Sequence, residues 1–93
     1  MKEDNPYKTE NHYRVVTKVQ NGLGVLARVT ILLRKFNINI RTLDINPIGD
    51  DEQFYNMEFV LDSNRNEKDF EIVMKKLNRL IPVVSLEYEK IDS

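Results

Sequence analysis

The sequence predicts an α+β domain of the ferredoxin-like βαββαβ kind, a four-stranded antiparallel sheet with two helices on one face. Three observations lead there. Four segments alternate apolar and polar residues with period two, as half-buried strands do. Two others repeat apolar residues every three or four positions, the period of an amphipathic helix. Their order is strand, helix, strand, strand, helix, strand. Helical crossovers flanking a central hairpin give the split βαβ arrangement.

Tyr13, Val15, Thr17 and Val19 alternate with Arg14, Val16, Lys18 and Gln20, a β-branched first strand that opens at His12. It stops at Asn21-Gly22-Leu23-Gly24, read as a turn because glycine reaches backbone angles that other residues resist. Leu26, Val29, Leu33 and Phe36, with Val25 and Leu32 beside them, form a helix of about three turns. Asn37 marks its end, since asparagine tolerates the left-handed conformation there. Arg34 and Lys35 suit the negative end of the helix dipole. Ile38 to Ile48 is the second strand. Ile38 and Ile40 share one phase and Leu43 and Ile45 the other, so a β-bulge is expected near Arg41-Thr42. Pro47, lacking a backbone donor, fits an edge strand or a strand end.

Gly49-Asp50-Asp51-Glu52 turns the chain into a third strand, Gln53 to Asp62, with Tyr55, Met57, Phe59 and Leu61 on one parity. Asn66 or Asn64 caps a second helix, with Glu67 and Asp69 in its first turn. Phe70, Val73, Met74, Leu77 and Leu80 give its stripe, and Pro82 ends it. Val84, Leu86 and Tyr88 alternate with polar neighbours as the last strand. Residues 1–11, with Lys2, Glu3, Asp4, Asn5 and Pro6 and no apolar period, read as a disordered or loosely docked tail. One domain over 12–91 remains.

The chain has 93 residues, 41% hydrophobic and 31% charged, the profile of one globular domain. A chain this small buries only about 60–65% of its unfolded surface, so a partner subunit would help it. With 14 basic and 15 acidic residues and a net charge of −1, it lacks the bulk positive charge of a nucleic-acid binder. The absence of cysteine excludes disulfides, thiolate metal sites and a cysteine nucleophile, and the single His12 cannot build a multi-histidine zinc site. No apolar run reaches the roughly 18–20 residues of a membrane span, and no signal peptide opens the chain. A cytoplasmic module is the expectation.

The fold hosts many functions, so the side chains must decide. An RNA-recognition module stacks bases on aromatics within a glycine-containing basic motif. Here the third strand has no glycine in Phe54-Tyr55-Asn56-Met57-Glu58-Phe59, and Tyr13 and Tyr55 read better as packed sheet aromatics. Asp50, Asp51 and Glu52 read as a solvated turn, Asp44 and Glu58 as surface acids. His12 reads as a half-exposed strand-end residue with no evident Ser or Asp partner. No nucleophile elbow, phosphate loop or dinucleotide fingerprint is present. The chain therefore carries no catalytic set of its own.

The informative stretch joins the first strand to the first helix. Free N–H groups of a first helical turn and the positive end of the dipole attract a carboxylate. Gly24 has no Cβ to hold a ligand away, and Asn21 offers both donor and acceptor. On local chemistry alone, the reading of Gly24 as only a tight-turn residue and Asn21 as only a helix cap is the favoured one. Asn21-x-x-Gly24-x-Leu26-x-Arg28-Val29, followed by Phe36-Asn37-Ile38-Asn39-Ile40, resembles the opening of an ACT domain. Leu32 to Leu43, with its basic pair before Phe36-Asn37-Ile38, and Leu77-Asn78-Arg79-Leu80-Ile81-Pro82-Val83-Val84 narrow the likeness. Together they resemble the regulatory small subunit of acetolactate synthase (acetohydroxyacid synthase), from about Tyr13 to Tyr88.

That resemblance implies a non-catalytic homodimer that binds a branched-chain amino acid, valine-like, between two ACT domains and modulates a catalytic large subunit. It implies that Asn21, Gly22 and Gly24 meet the ligand from one copy, with Leu23, Val25 and Leu26 beside an apolar side chain. Asn39, with Ile40 next to it, would come from the neighbouring copy. Thiamine diphosphate, magnesium and FAD are implied only on the catalytic partner. Two departures stand out: Asn37 replaces the usual glycine after the first helix, and Gly22-Leu23 replaces acidic and small polar residues. The common long form also carries a second domain, so a short-form subunit, a stand-alone ACT sensor or scaffold, or a shortened chain is expected.

Overall fold

Alternation along the chain builds a sheet with one dry face and one wet face. The structure, a computed structural model, describes residues 10–20, 22–50, 53–80 and 83–91, with backbone alone at 22, 23 and 80. Its elements are β1 (Asn11–Gln20), α1 (Gly22–Lys35), β2 (Asn39–Ile48), β3 (Phe54–Ser63), α2 (Glu67–Leu80) and β4 (Val83–Ile91). The strands lie in the order β2-β3-β1-β4, and every neighbouring pair is antiparallel. This is the ferredoxin-like fold expected from the sequence, with β2 and β4 as edges. Readings that fall on residues 1–9, Asn21, Asp51, Glu52 and Pro82 lie outside the described residues.

Tyr13, Val15 and Val19 of β1 and Met57, Phe59 and Leu61 of β3 form one core with both helices. From α1 come Val25, Val29 and Leu33, and from α2 come Phe70, Val73, Met74 and Leu77. The two helices thus cover the same face. The α1 stripe is turned slightly from expectation: Val25 is fully buried, whereas Leu26 and Phe36 are only partly so. Arg14 lies on the opposite, open face and pairs with Glu58 at 3.2 Å and Glu89 at 3.3 Å.

Local backbone signals are realised closely. Asn37 has φ 60°, its N–H donates to the Arg34 carbonyl at 2.9 Å, and the Ile38 N–H donates to the Leu33 carbonyl at 2.9 Å. That pair of bonds is a Schellman stop, and Leu33 and Ile38, which it links, are both buried in the core. Asn66 Oδ1 accepts from the Asp69 N–H at 2.8 Å, which selects Asn66 as the α2 cap. The β2–β3 register slips between Ile40 and Thr42, so the expected bulge sits at Arg41.

Two elements depart from expectation. Gly22, Leu23 and Gly24 are not a turn but the first turn of α1. Once Val25 and Val29 dock on the sheet, the helix extends back to Gly22. Glycine's entropic penalty applies in a helix interior, and these glycines stand at its end. The second departure is in β4, whose register with β1 slips between Lys18 and Val19. Val83 pairs with Val19 and packs on the core, while Val84, expected inward, is 57% exposed. A bulge exchanged the two valines, and adjacent residues of one type hide such an exchange from periodicity.

Tyr13 is the one buried side chain with an unsatisfied polar atom among the described residues. Its ring stacks on Phe70 at 3.6 Å between centroids, and burial, followed by Glu67, pushes the phenol above its usual pKa. A buried hydroxyl without a partner costs about 1–3 kcal/mol. Tyr13→Phe is therefore expected to stabilise the domain by roughly 1 kcal/mol, read as a higher midpoint in thermal melts; a lower midpoint would show that the hydroxyl is satisfied in solution.

Candidate functional site

The residues singled out by sequence lie at the two ends of α1. At one end, β1 stops at Gln20 and α1 starts at Gly22. The first turn of α1 contains no acidic residue, so no carboxylate of that turn meets the dipole's positive end. α2 differs: Glu67 and Asp69 sit in its first turn behind the Asn66 cap. Gly24 is exposed, Leu26 half-buried, and Val25 lies in the core. Asn21 and the Leu23 side chain lie outside the described residues.

At the other end, the Schellman stop turns the chain sharply into β2. An open cleft of ≈ 540 Å³ lies there between Thr30, Ile31 and Arg34 of α1 and the run from Asn37 to Ile40. Ile31 is 66% exposed on its rim. Ile40 is half-buried and pairs with Leu61, whereas Asn39 is exposed on the open face of the sheet.

Strand register shows how far apart these ends are. Gln20 pairs with Phe54 and Phe54 with Ile48, so α1 begins level with the end of β2. Asn39 pairs with Asp62, which pairs with His12, at the opposite end of the sheet. A ten-residue strand separates the two levels by about 30 Å. One chain holds the two predicted halves of the site apart.

Asn39 belongs to a network that sequence reasoning missed. Asp62 is only 7% exposed, and three side chains converge on it. His12 Nδ1 lies 2.6 Å from one carboxylate oxygen. Arg41 Nε at 3.2 Å and Asn39 Nδ2 at 3.4 Å donate to the other. Burial pushes the Asp62 carboxyl upward, but the bonds from His12 and Asn39 and the charge of Arg41 outweigh it and hold the carboxyl below its ordinary range. The reading of His12 as lacking an acidic partner is therefore corrected. Its partner lies 50 residues away and becomes adjacent only through the β1–β3 register. An acid ending an otherwise alternating strand was the only available signal.

Tyr13 and Tyr55 face the helices, so neither offers a ring to nucleic acid on the open sheet face. No cluster that could hold a metal ion occurs among the described residues, and no described helix is long and apolar enough to cross a membrane.

The fold is that of a small α+β module with two helices packed on one face of a four-stranded antiparallel sheet. The ACT domain family model matches residues 13–82, and the chain belongs to the ACT domain family. ACT domains are regulatory, non-catalytic modules that bind amino-acid effectors and commonly dimerise. No curated protein matches the sequence. Among solved structures, the C-terminal domain of the MgtC protein from Mycobacterium tuberculosis is similar with TM-score 0.71 and 16% identity, over 90% of each chain. The ACT domain of GTP pyrophosphokinase from Chlorobium tepidum matches with TM-score 0.61 and 22% identity, over 86% of this chain and 96% of that one. An ACT domain protein from Streptococcus pneumoniae matches with TM-score 0.68 and 13% identity, over 86% and 89%. At these identities the likeness is one of fold.

Proposed function

We propose that the chain is a regulatory subunit or module of acetolactate synthase that binds a valine-like branched-chain amino acid between two copies and modulates a catalytic large subunit. The observation that carries this reading is the register. Antiparallel pairing of two β2 edges about a twofold axis brings the start of β2 in one copy level with the end of β2 in the other. Because α1 begins at that same level, Asn39 of one copy would stand level, along the strand direction, with the α1 N-terminus of its mate. The bare edge of β2 and the exposed Ile31 beside it supply the surface for such pairing.

In that seam the α1 N–H groups near Gly22 and Gly24 take the effector's carboxylate. Asn39 takes the ammonium, and Leu23 and Leu26 border the aliphatic side chain, the mix of apolar walls and few polar groups typical of small-ligand sites. Coupling of about 1–3 kcal/mol is enough to change a partner's activity several-fold. Thiamine diphosphate, magnesium and FAD belong to that catalytic partner.

Isothermal titration with valine, leucine and isoleucine is expected to give a saturable heat for at least one, with about one site per chain, two per twofold seam. Asn39→Ala should weaken it at least tenfold. Absence of heat from all three, or a clean monomer in sedimentation at micromolar concentration, would remove the reading. Affinity capture should retain a thiamine-dependent synthase subunit; an amino-acid response without such capture would leave a stand-alone sensor.

A further inference from the structure

We infer that the cleft between the start of α2 and the end of β4 binds an alkylammonium group, and that the chain's own Lys90 holds that place until an external amine displaces it. The cleft measures ≈ 470 Å³, and Tyr13, Glu67, Glu71, Tyr88 and Lys90 line it. It opens beside β4, at the far side of the sheet from the β2 edge, and so does not depend on the proposed pairing of two copies.

Two independent observations point to a ligand there. Tyr13 is 2% exposed and its hydroxyl has no partner, a rare and costly condition that calls for a reason. The nearby Asn11 amide donates to the Arg65 carbonyl instead, at 3.3 Å. After burial itself, the strongest influences on the Tyr13 phenol are Glu67 and then Lys90, and both line the cleft. The oxygen therefore lies at the cleft floor, beneath those two side chains. The second observation is an ammonium already held in place. Lys90 is the cross-strand partner of Tyr13, so both side chains rise from the same face of the sheet. Lys90 Nζ reaches across to α2 and donates to Glu67 at 2.7 Å.

Charge decides what can replace it. Glu67 outweighs Lys90 at the Tyr13 phenol, and Glu71 outweighs Lys75 at Tyr88, so both phenols sit in a negative field that rejects an anion. Tyr88, 38% exposed, adds an aromatic wall that suits a cation. An ammonium has three N–H donors, enough for Glu67, for the orphaned Tyr13 oxygen and for water. The Glu67–Lys90 pair is exposed at both ends, and such pairs exchange at little cost. Lys68, exposed on the rim, repels a second cationic centre and favours a monoamine over a polyamine.

The test is an NMR titration of the full chain, following the ring signals of Tyr13 and Tyr88. n-Butylamine represents a free amine and Nα-acetyl-lysine amide a lysine side chain of a partner; the tighter of the two identifies the source. Saturable shifts are expected, and Lys90→Met, which keeps the apolar stem but removes the internal rival, should tighten binding. In that background Glu67→Gln and Tyr13→Phe should each weaken it about three- to tenfold, the worth of one hydrogen bond. Tyr13→Phe is expected to melt higher than wild type, so its loss of binding does not reflect unfolding. Tetramethylammonium, which has no N–H, should bind more weakly than either amine. No saturable shift from either amine in Lys90→Met, equal binding of tetramethylammonium, or unchanged binding in Tyr13→Phe would each overturn the inference. None of these outcomes touches the amino-acid reading of the seam.

Discussion

Phe70→Ala should cost about 3–5 kcal/mol of stability, the usual loss for a fully buried phenylalanine. A domain of this size has roughly 5–15 kcal/mol in total, so the variant sits near the edge of unfolding at room temperature. Phe70 is 0% exposed, lies flat against Tyr13 and meets Tyr88 edge-on with centroids 5.5 Å apart. These three rings come from α2, β1 and β4, so one truncation loosens three elements. Far-UV circular dichroism in a urea series measures the loss. Val84→Ala, on an exposed side chain, should move the midpoint little and serves as the control. A loss below about 1 kcal/mol for Phe70→Ala would show that the stack is not the anchor of α2.

Acid should weaken the domain through Asp62. Its carboxyl titrates below its ordinary value of 3.8 in the folded chain. A group lowered in this way adds stability above the unfolded pKa and loses it as pH falls through the folded one. Its contribution is therefore whole above ~pH 5 and declines below 3.8. At pH 7, Asp62→Asn should cost about 1–3 kcal/mol, toward the lower figure because Arg41 is half exposed and solvent screens it. The gap between wild type and Asp62→Asn should narrow as pH falls below 3.8 and close once the folded-state carboxyl is protonated. A gap unchanged between pH 7 and pH 3 would mean that the network contributes no charge-dependent stability.

Local grammar carried most of the fold. Asn37 and Asn66 are terminal signals whose meaning is set within a few residues, and the bulge at Arg41 shows as a phase change in Ile38 to Ile45. Features that depend on distant partners were not legible. His12 and Asp62 meet only because β1 and β3 pair in one particular register, and nothing near either residue announces it. Val83 and Val84 offer periodicity two indistinguishable choices, and the bulge against β1 makes the selection. At the candidate site, Gly22 to Gly24 could be located but not assigned to a helix, because glycine says little about which backbone it will adopt. The likeness to the acetolactate synthase small subunit rests on motif residues; the family match and the fold reach only the ACT domain.

Each rim of the sheet carries one kink, β2 at Arg41 and β4 at Val84. A kinked rim is a poor template for an added strand. Under the proposed pairing through β2, the rim left outward in each copy is β4, and its kink disfavours a further strand. Closed pairs are then expected rather than open-ended ribbons.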